Sequence, residues 1–194
     1  MSLENIRAKT ICLLALVGFY RPSDLAIVTR DQISFNDSGA TIVNLGGKTD
    51  KNHDGFTTPI HHATDTDLCP VRALSTYLRR TPGEGPSLFN ATPGHGPIGP
   101  QRIGRIMTNT LQHAGINDVT AKAFRKTGAS SAIVAGIPPD AVMKIGRWKS
   151  VDTFFNCYVT RPPSNVSDLV FSPRMHLADE GNVRFPEEGG DHDD

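Results

Sequence analysis

The side chains best suited to chemistry include two arginines, each three residues from a charged neighbour. Arg21 precedes Asp24 in "RPSDL", and Lys122 precedes Arg125 in "KAFR". Residues three apart share one face of a helix. Taken singly, the first pair is typical of an exposed ion pair at a helix start and the second of a solvated basic face. Neither pair predicts a function alone.

A tryptophan and a tyrosine bracket the last helix that the sequence predicts. The stretch "GRWKSVDTFFNCYVT" joins Trp148, the only tryptophan, to Tyr158 ten residues later, with no histidine between them. Either aromatic residue alone is typical of a core or an interface. The pattern raises the question of what a phenol at the end of such a segment does.

Two other motifs lack parts that their chemistry requires. "GGKT" at 46–49 resembles the end of a phosphate-binding P-loop, but Ile42 stands where that motif needs its first glycine, and a hairpin is predicted where it needs a helix. His53, His61 and His62 lie close in sequence, yet they lack a fourth ligand and the spacing of zinc sites. We therefore expect no metal site and no cofactor.

Length and composition predict an ordinary globular domain. The chain has 194 residues, of which 38% are hydrophobic and 21% charged, enough for one domain with a core. It contains no apolar run near the ~20 residues that a membrane-spanning helix needs. Cys12, Cys69 and Cys157 are scattered without Cys-x-x-Cys spacing. This cysteine usage favours a reducing compartment and predicts a protein that is not secreted.

The net charge of zero hides an asymmetry. Residues 161–194 hold eight acidic and three basic side chains, which leaves 17 basic and 12 acidic residues in 1–160, a balance of +5. A basic body with an acidic tail is compatible with a polyanionic partner.

Apolar spacing and breaker residues predict an α-rich α+β fold. Three short β-like runs separated by Asp, Asn and Gly indicate a small antiparallel sheet, and the remaining periodic segments indicate about seven helices. We expect strands at 33–37, 41–45 and 55–60, and helices within 4–19, 23–33, 67–80, 101–116, 120–136, 138–148 and 150–159. We expect one folded domain over 1–177 and an acidic, disordered tail over 178–194.

In their order along the chain, residues 5–160 resemble the catalytic domain of the tyrosine recombinases, the phage-integrase family. "LLALVGFYRPSDLAIVTRDQI" is similar to the family's first box, in which Arg21 corresponds to the first catalytic arginine and Asp24 to its acidic supporter. "GGKTDK" lies between two predicted strands, where the family carries its catalytic lysine. Lys48 is our first choice for that lysine and Lys51 the second.

The second half of the resemblance supplies the remaining site residues. "KAFRKTGASSAIVAGIPPDAVMKIGRW" is similar to the family's second box. Lys122 takes its His/Lys position, Arg125 its second arginine, and Trp148 its His/Trp position, with Arg147 as an alternative occupant. Tyr158 corresponds to the nucleophile, ten residues after Trp148 where nine is usual.

The resemblance implies a specific reaction on double-stranded DNA. Tyr158 would attack a phosphodiester to give a 3′-phosphotyrosyl link and a free 5′-hydroxyl. Arg21 and Arg125 would hold the non-bridging oxygens, a lysine would protonate the leaving oxygen, and Trp148 would donate its indole N–H. The family needs neither metal nor nucleotide, and it assembles on DNA as a synaptic tetramer.

Finer assignments follow from the same residues. "RPSDL", "DLCPVRALSTYL" and the ten-residue gap look most like crypton and DIRS-type mobile-element recombinases, which implies a nuclear protein; otherwise we expect a cytoplasmic one. The family places a helical DNA-clamping domain before the catalytic one, so we expect this chain to be the catalytic domain alone. The alternatives are a type IB topoisomerase-like enzyme and a domesticated DNA-binding module that no longer cleaves.

Overall fold

The computed structural model describes residues 1–45, 55–91 and 96–158, and over these ranges it confirms the predicted α-rich α+β architecture. This part of the chain forms seven α-helices, one short 3₁₀ turn and a three-stranded antiparallel sheet. Lys48 and Lys51 fall outside the described residues. The helices are α1 (Leu3–Val17), α2 (Pro22–Ala26), α3 (Pro70–Arg80), α4 (Pro100–His113), α5 (Lys122–Val134), α6 (Pro139–Gly146) and α7 (Val151–Tyr158); the strands are β1 (Ile33–Asn36), β2 (Gly39–Asn44) and β3 (Phe56–His61).

Helix α1 lies at the centre of the fold. Ser2 caps it by accepting a hydrogen bond from the backbone N–H of Asn5 at 3.2 Å, which satisfies one of the free donors at a helix start. Ile11 and Leu14 on its inner face are fully buried. Helices α3, α4 and α5 pack against it. Helix α1 therefore supports α5, which carries Lys122 and Arg125. None of the described helices is long and apolar enough to cross a membrane.

Helix α2 is shorter than predicted. A helix was expected over 23–33, but α2 ends at Ala26 and a 3₁₀ turn follows at Arg30–Gln32. The chain between them is extended because it pairs with a distant segment: the N–H of Leu88 donates to the carbonyl of Val28 at 2.9 Å, and the N–H of Arg30 donates to Pro86 at 2.7 Å. This long-range pairing overrides the local helical periodicity.

The sheet is attached to α2 by a buried amide. Its strand order is β1-β2-β3, with Ile42 of β2 opposite Ile33 of β1 and Thr58 of β3. Asn44, fully buried at the end of β2, donates from Nδ2 to the carbonyl of Asp24 at 3.1 Å. The end of β2 therefore lies beside α2.

Helix α5 approaches α1 closely through a glycine. A Cβ built on Gly128 would lie 2.1 Å from the carbonyl oxygen of Leu16 and 3.1 Å from a ring carbon of Phe19, so a larger residue would push the helices apart. Arg125 lies one turn earlier on α5. The small-residue helix thus brings an arginine against the turn that follows α1.

Candidate active site

Arg125 joins three elements by main-chain hydrogen bonds. It is only 3% exposed, Nη1 donates to the carbonyl of Phe19 after α1, and Nη2 donates to the carbonyl of Gly146 at the end of α6 at 2.5 Å. A guanidinium has five N–H donors, so these two bonds leave three. Its Nε is buried and has no hydrogen-bond partner among the described residues. Arg125 is held rigidly and keeps donors for a ligand.

An aromatic cluster covers the guanidinium of Arg125. The Cζ of Arg125 lies 3.9 Å from the ring centroid of Trp148 and 5.6 Å from that of Tyr158. The two rings meet edge to face at 4.7 Å, and Phe154 contacts Trp148 at 4.9 Å. This stacking brings the phenol and the buried cation into one site.

Two small residues make this packing possible. A Cβ on Gly146 would lie 1.7 Å from Cζ3 of Trp148, so that position admits glycine alone. The hydroxyl of Ser130 on α5 donates to the carbonyl of Tyr158, which fixes the end of α7. The indole Nε1 of Trp148 is buried and finds no acceptor in the described part of the chain, so it is available to one.

Asp24 anchors a second cluster at the start of α2. The carboxylate is 2% exposed, and its Oδ2 accepts from the backbone N–H of Arg21 at 3.0 Å and from Nη2 of Arg147 at 2.9 Å. Nη1 of Arg21 lies 3.7 Å from the same oxygen, beyond hydrogen-bond reach. The side chain of Arg21 is 29% exposed and is therefore the accessible arginine of the cluster.

The site holds more positive than negative charge. Burial above all, together with the charges of Arg21 and Arg147, lowers the pKa of Arg125 to about 10, although Tyr158 and Asp24 oppose the shift. Burial also lowers the pKa of Arg147, whereas Asp24 raises it. Guanidinium groups stay charged at neutral pH, so three cations face one buried carboxylate. Such an excess favours an anionic ligand.

The other predicted site residues differ in their exposure and in whether the structure describes them. Lys122 is exposed at the first position of α5, unlike the buried Arg125. Lys48 and Lys51 lie outside the described residues. Of the two candidates for the His/Trp position, Trp148 contacts Tyr158 whereas Arg147 is directed to Asp24. Sequence reasoning missed this role for Arg147.

The described residues form no group of three or more His, Cys, Asp or Glu side chains that could hold a metal ion. His61 and His62 are exposed. His53 lies outside the described residues.

A family model described as "Phage integrase family" matches residues 2–163. No curated protein matches the chain significantly.

Solved structures with a similar fold include recombinases and integrases. The XerH site-specific recombinase, in a pre-cleavage complex with its difH substrate, has 12% identity and a TM-score of 0.65 over 89% of this chain and 48% of its own. XerA recombinase has 21% identity and a TM-score of 0.62 over 90% of this chain and 64% of its own. The Tn1549 transposon integrase, in complex with circular intermediate DNA, has 16% identity and a TM-score of 0.59 over 87% and 58%. The chain thus spans about half to two thirds of these proteins, and at such identities the likeness shows a shared fold.

Proposed function

The chain belongs to the phage integrase family, the tyrosine recombinases, and on that premise we propose that it cleaves and rejoins double-stranded DNA through Tyr158. The observation that carries the proposal is the contact of Tyr158 and Trp148 with the buried guanidinium of Arg125. A phenol, a buried cation and an indole N–H without an acceptor in the described part of the chain lie together, as the attack of the phenol on a phosphate would require. Substrate and activity are inferred from this geometry and the family.

In the proposed reaction the phenolic oxygen of Tyr158 forms a bond to phosphorus as the bond to the 5′-oxygen breaks. The phenolic proton passes to solvent as this bond forms, and the neighbouring guanidinium groups stabilise the negative charge that develops on the attacking oxygen. Arg125 and Arg21 bind the non-bridging oxygens and stabilise the charge of the five-coordinate transition state. The phosphotyrosyl bond conserves the energy for rejoining, which reverses the same steps.

Proton transfer and phosphate binding are shared among the remaining residues. Lys48, with Lys51 as the second choice, donates a proton to the departing 5′-oxygen. Trp148 donates its indole N–H, which has no acceptor among the described residues, to a phosphate oxygen. Lys122 assists proton transfer or phosphate binding from the start of α5.

A covalent-trapping assay tests the proposal. A duplex nicked close to the cleaved bond loses its short fragment after attack, so rejoining fails and the adduct accumulates. Because the chain spans about half of the XerH recombinase, the assay should be run with and without a helical DNA-clamping domain fused at the N-terminus. An adduct on Tyr158 supports the proposal. DNA binding without an adduct in both forms would favour the non-catalytic DNA-binding module.

Cleavage is expected to proceed without a divalent metal. Arginine side chains supply the charge stabilisation in the proposed mechanism and lysine supplies the proton, so chelation leaves every catalytic group in place. The rate of adduct formation should be the same in EDTA and in magnesium. A rate that vanishes in EDTA and returns with magnesium would contradict this assignment.

Of the two candidate lysines, Lys48→Ala is expected to slow cleavage more than Lys51→Ala. Lys48 follows two glycines, where the backbone can come close to DNA. A substrate with sulfur at the bridging 5′ position has a leaving group that needs no proton, so it should restore the rate of the true general-acid variant. Rescue of Lys51→Ala in place of Lys48→Ala would reverse the choice.

Finer features of the proposal come from the motifs. We propose that the chain is a crypton- or DIRS-type recombinase that acts as a tetramer on DNA, in the nucleus if it comes from a eukaryotic mobile element and otherwise in the cytoplasm. "RPSDL" and the ten-residue gap to Tyr158 support this narrower assignment.

A further inference from the structure

Arg147 occupies a backbone position that usually belongs to glycine. It ends α6 with φ 59° and ψ 41°, in the left-handed region. Helices commonly end with glycine in this conformation because a Cβ is unfavourable there. An arginine held in such a position points to a use for its side chain.

The side chain of Arg147 is buried between α2 and the start of β3. It is only 10% exposed, and Nη2 donates to Oδ2 of Asp24 at 2.9 Å. Its Cζ lies 3.6 Å from the ring centroid of Phe56 and 5.2 Å from that of Tyr20. The two rings and the carboxylate fix the guanidinium in one place. The ring of Tyr158 is contacted by Trp148, the residue after Arg147.

Because Arg147 is already a charged partner of Asp24, the carboxylate does not need a hydrogen bond from the guanidinium of Arg21. A buried carboxylate requires charged or hydrogen-bonded partners. Arg147 provides the short side-chain contact to Oδ2, and the guanidinium of Arg21 stays 3.7 Å away. Without Arg147, Arg21 is the cation nearest to Asp24 among the described residues, and closing that gap would turn its donors away from a phosphate.

We infer that Arg147 is a positioning residue: it neutralises Asp24 and so keeps the guanidinium of Arg21 free to bind the phosphate under attack. The inference rests on the proposed function, because the phosphate is that of the DNA substrate. It gives Arg147 a role in the site without contact to the reacting atoms.

Arg147→Gly is the sharpest variant, because it removes the side chain and suits the left-handed backbone. Single-turnover adduct formation at saturating DNA should fall about tenfold or more, since an oriented donor to the transition state is lost. The DNA dissociation constant should change little, because Arg21 would be displaced rather than removed. Arg147→Lys keeps the charge and should retain part of the rate.

A second substitution tests whether the effect passes through Asp24. Asp24→Asn in the Arg147→Gly background removes the charge that captures Arg21, so the double variant should cleave faster than Arg147→Gly. The double variant Arg21→Ala, Arg147→Gly should cleave almost as fast as Arg21→Ala alone. Both substitutions remove the same donor, so their effects should not add. Arg79→Gln, which also removes a positive charge but from the exposed end of α3, is the matched control and should cleave at the wild-type rate.

The outcomes separate the inference from the proposed function. If wild type forms the adduct and Arg147→Gly matches its rate, the inference is wrong and the proposed function stands. If Arg147→Gly is slow and Asp24→Asn restores nothing, the effect does not pass through Asp24 and Arg21, which also overturns the inference. If wild type forms no adduct, the proposed function is wrong, and the inference, which rests on it, is wrong as well.

Discussion

Tyr158→Phe is expected to abolish the covalent protein–DNA adduct while leaving the fold and the DNA affinity almost unchanged. The substitution removes one oxygen and keeps the ring that packs edge to face on Trp148 at 4.7 Å, so the aromatic cluster survives. The nucleophile is lost, and no phosphotyrosyl bond can form. The adduct trapped on a nicked duplex should disappear at equal DNA occupancy, and peptide mapping of the wild-type adduct should place the DNA on Tyr158.

Other nucleophiles are poorly placed to replace Tyr158. Tyr20 and Tyr77, the other two tyrosines, are 0% and 1% exposed. Burial raises the pKa of Tyr20 to about 12 and also raises the pKa of Tyr77, so both phenols are harder to ionise. Cys157 is exposed, but one residue along a helix turns it about 100° away from Tyr158. An adduct of normal yield in Tyr158→Phe would show that the nucleophile lies elsewhere.

The elements could be predicted from the sequence where local patterns determine them. The β-like runs at 33–37, 41–45 and 55–60 form the three strands, and proline and glycine mark the helix ends. The end of α2 could not be predicted because it depends on the pairing of 28–30 with 86–88, a segment far along the chain.

Within the site, the order of residues along the chain predicts which residues belong together, but it does not predict which partner each side chain contacts. Two adjacent residues, Arg147 and Trp148, diverge: one contacts Asp24 and the other contacts Tyr158. Arg147 also has a left-handed backbone conformation. An arginine in place of the usual glycine hides that conformation from sequence patterns. The roles assigned to the site residues, including Lys48 and Lys51, remain predictions.

Arg125→Ala is expected to lower both cleavage and stability, and this double loss distinguishes Arg125 from Arg21. The side chain is 3% exposed and donates to the carbonyls of Phe19 and Gly146. Its removal leaves two buried acceptors unpaired, at about 1–3 kcal/mol each. It also removes a donor to the transition state, which typically costs ~10²-fold in rate. Thermal unfolding and single-turnover adduct formation, measured well below the melting temperature, check the two effects.

Arg21→Ala is the matched comparison, because it should reproduce the loss of rate without the loss of stability. The side chain of Arg21 is 29% exposed and its ion pair with Asp24 is long at 3.7 Å, so its removal should cost less than about 1 kcal/mol of unfolding free energy. Arg125→Lys keeps the charge, but a single ammonium cannot donate to both carbonyls and to a phosphate with the geometry of a guanidinium. It should therefore remain slow. A lysine variant that cleaves at the wild-type rate would show that Arg125 is a structural bridge between α1, α5 and α6, and that Arg21 alone holds the phosphate.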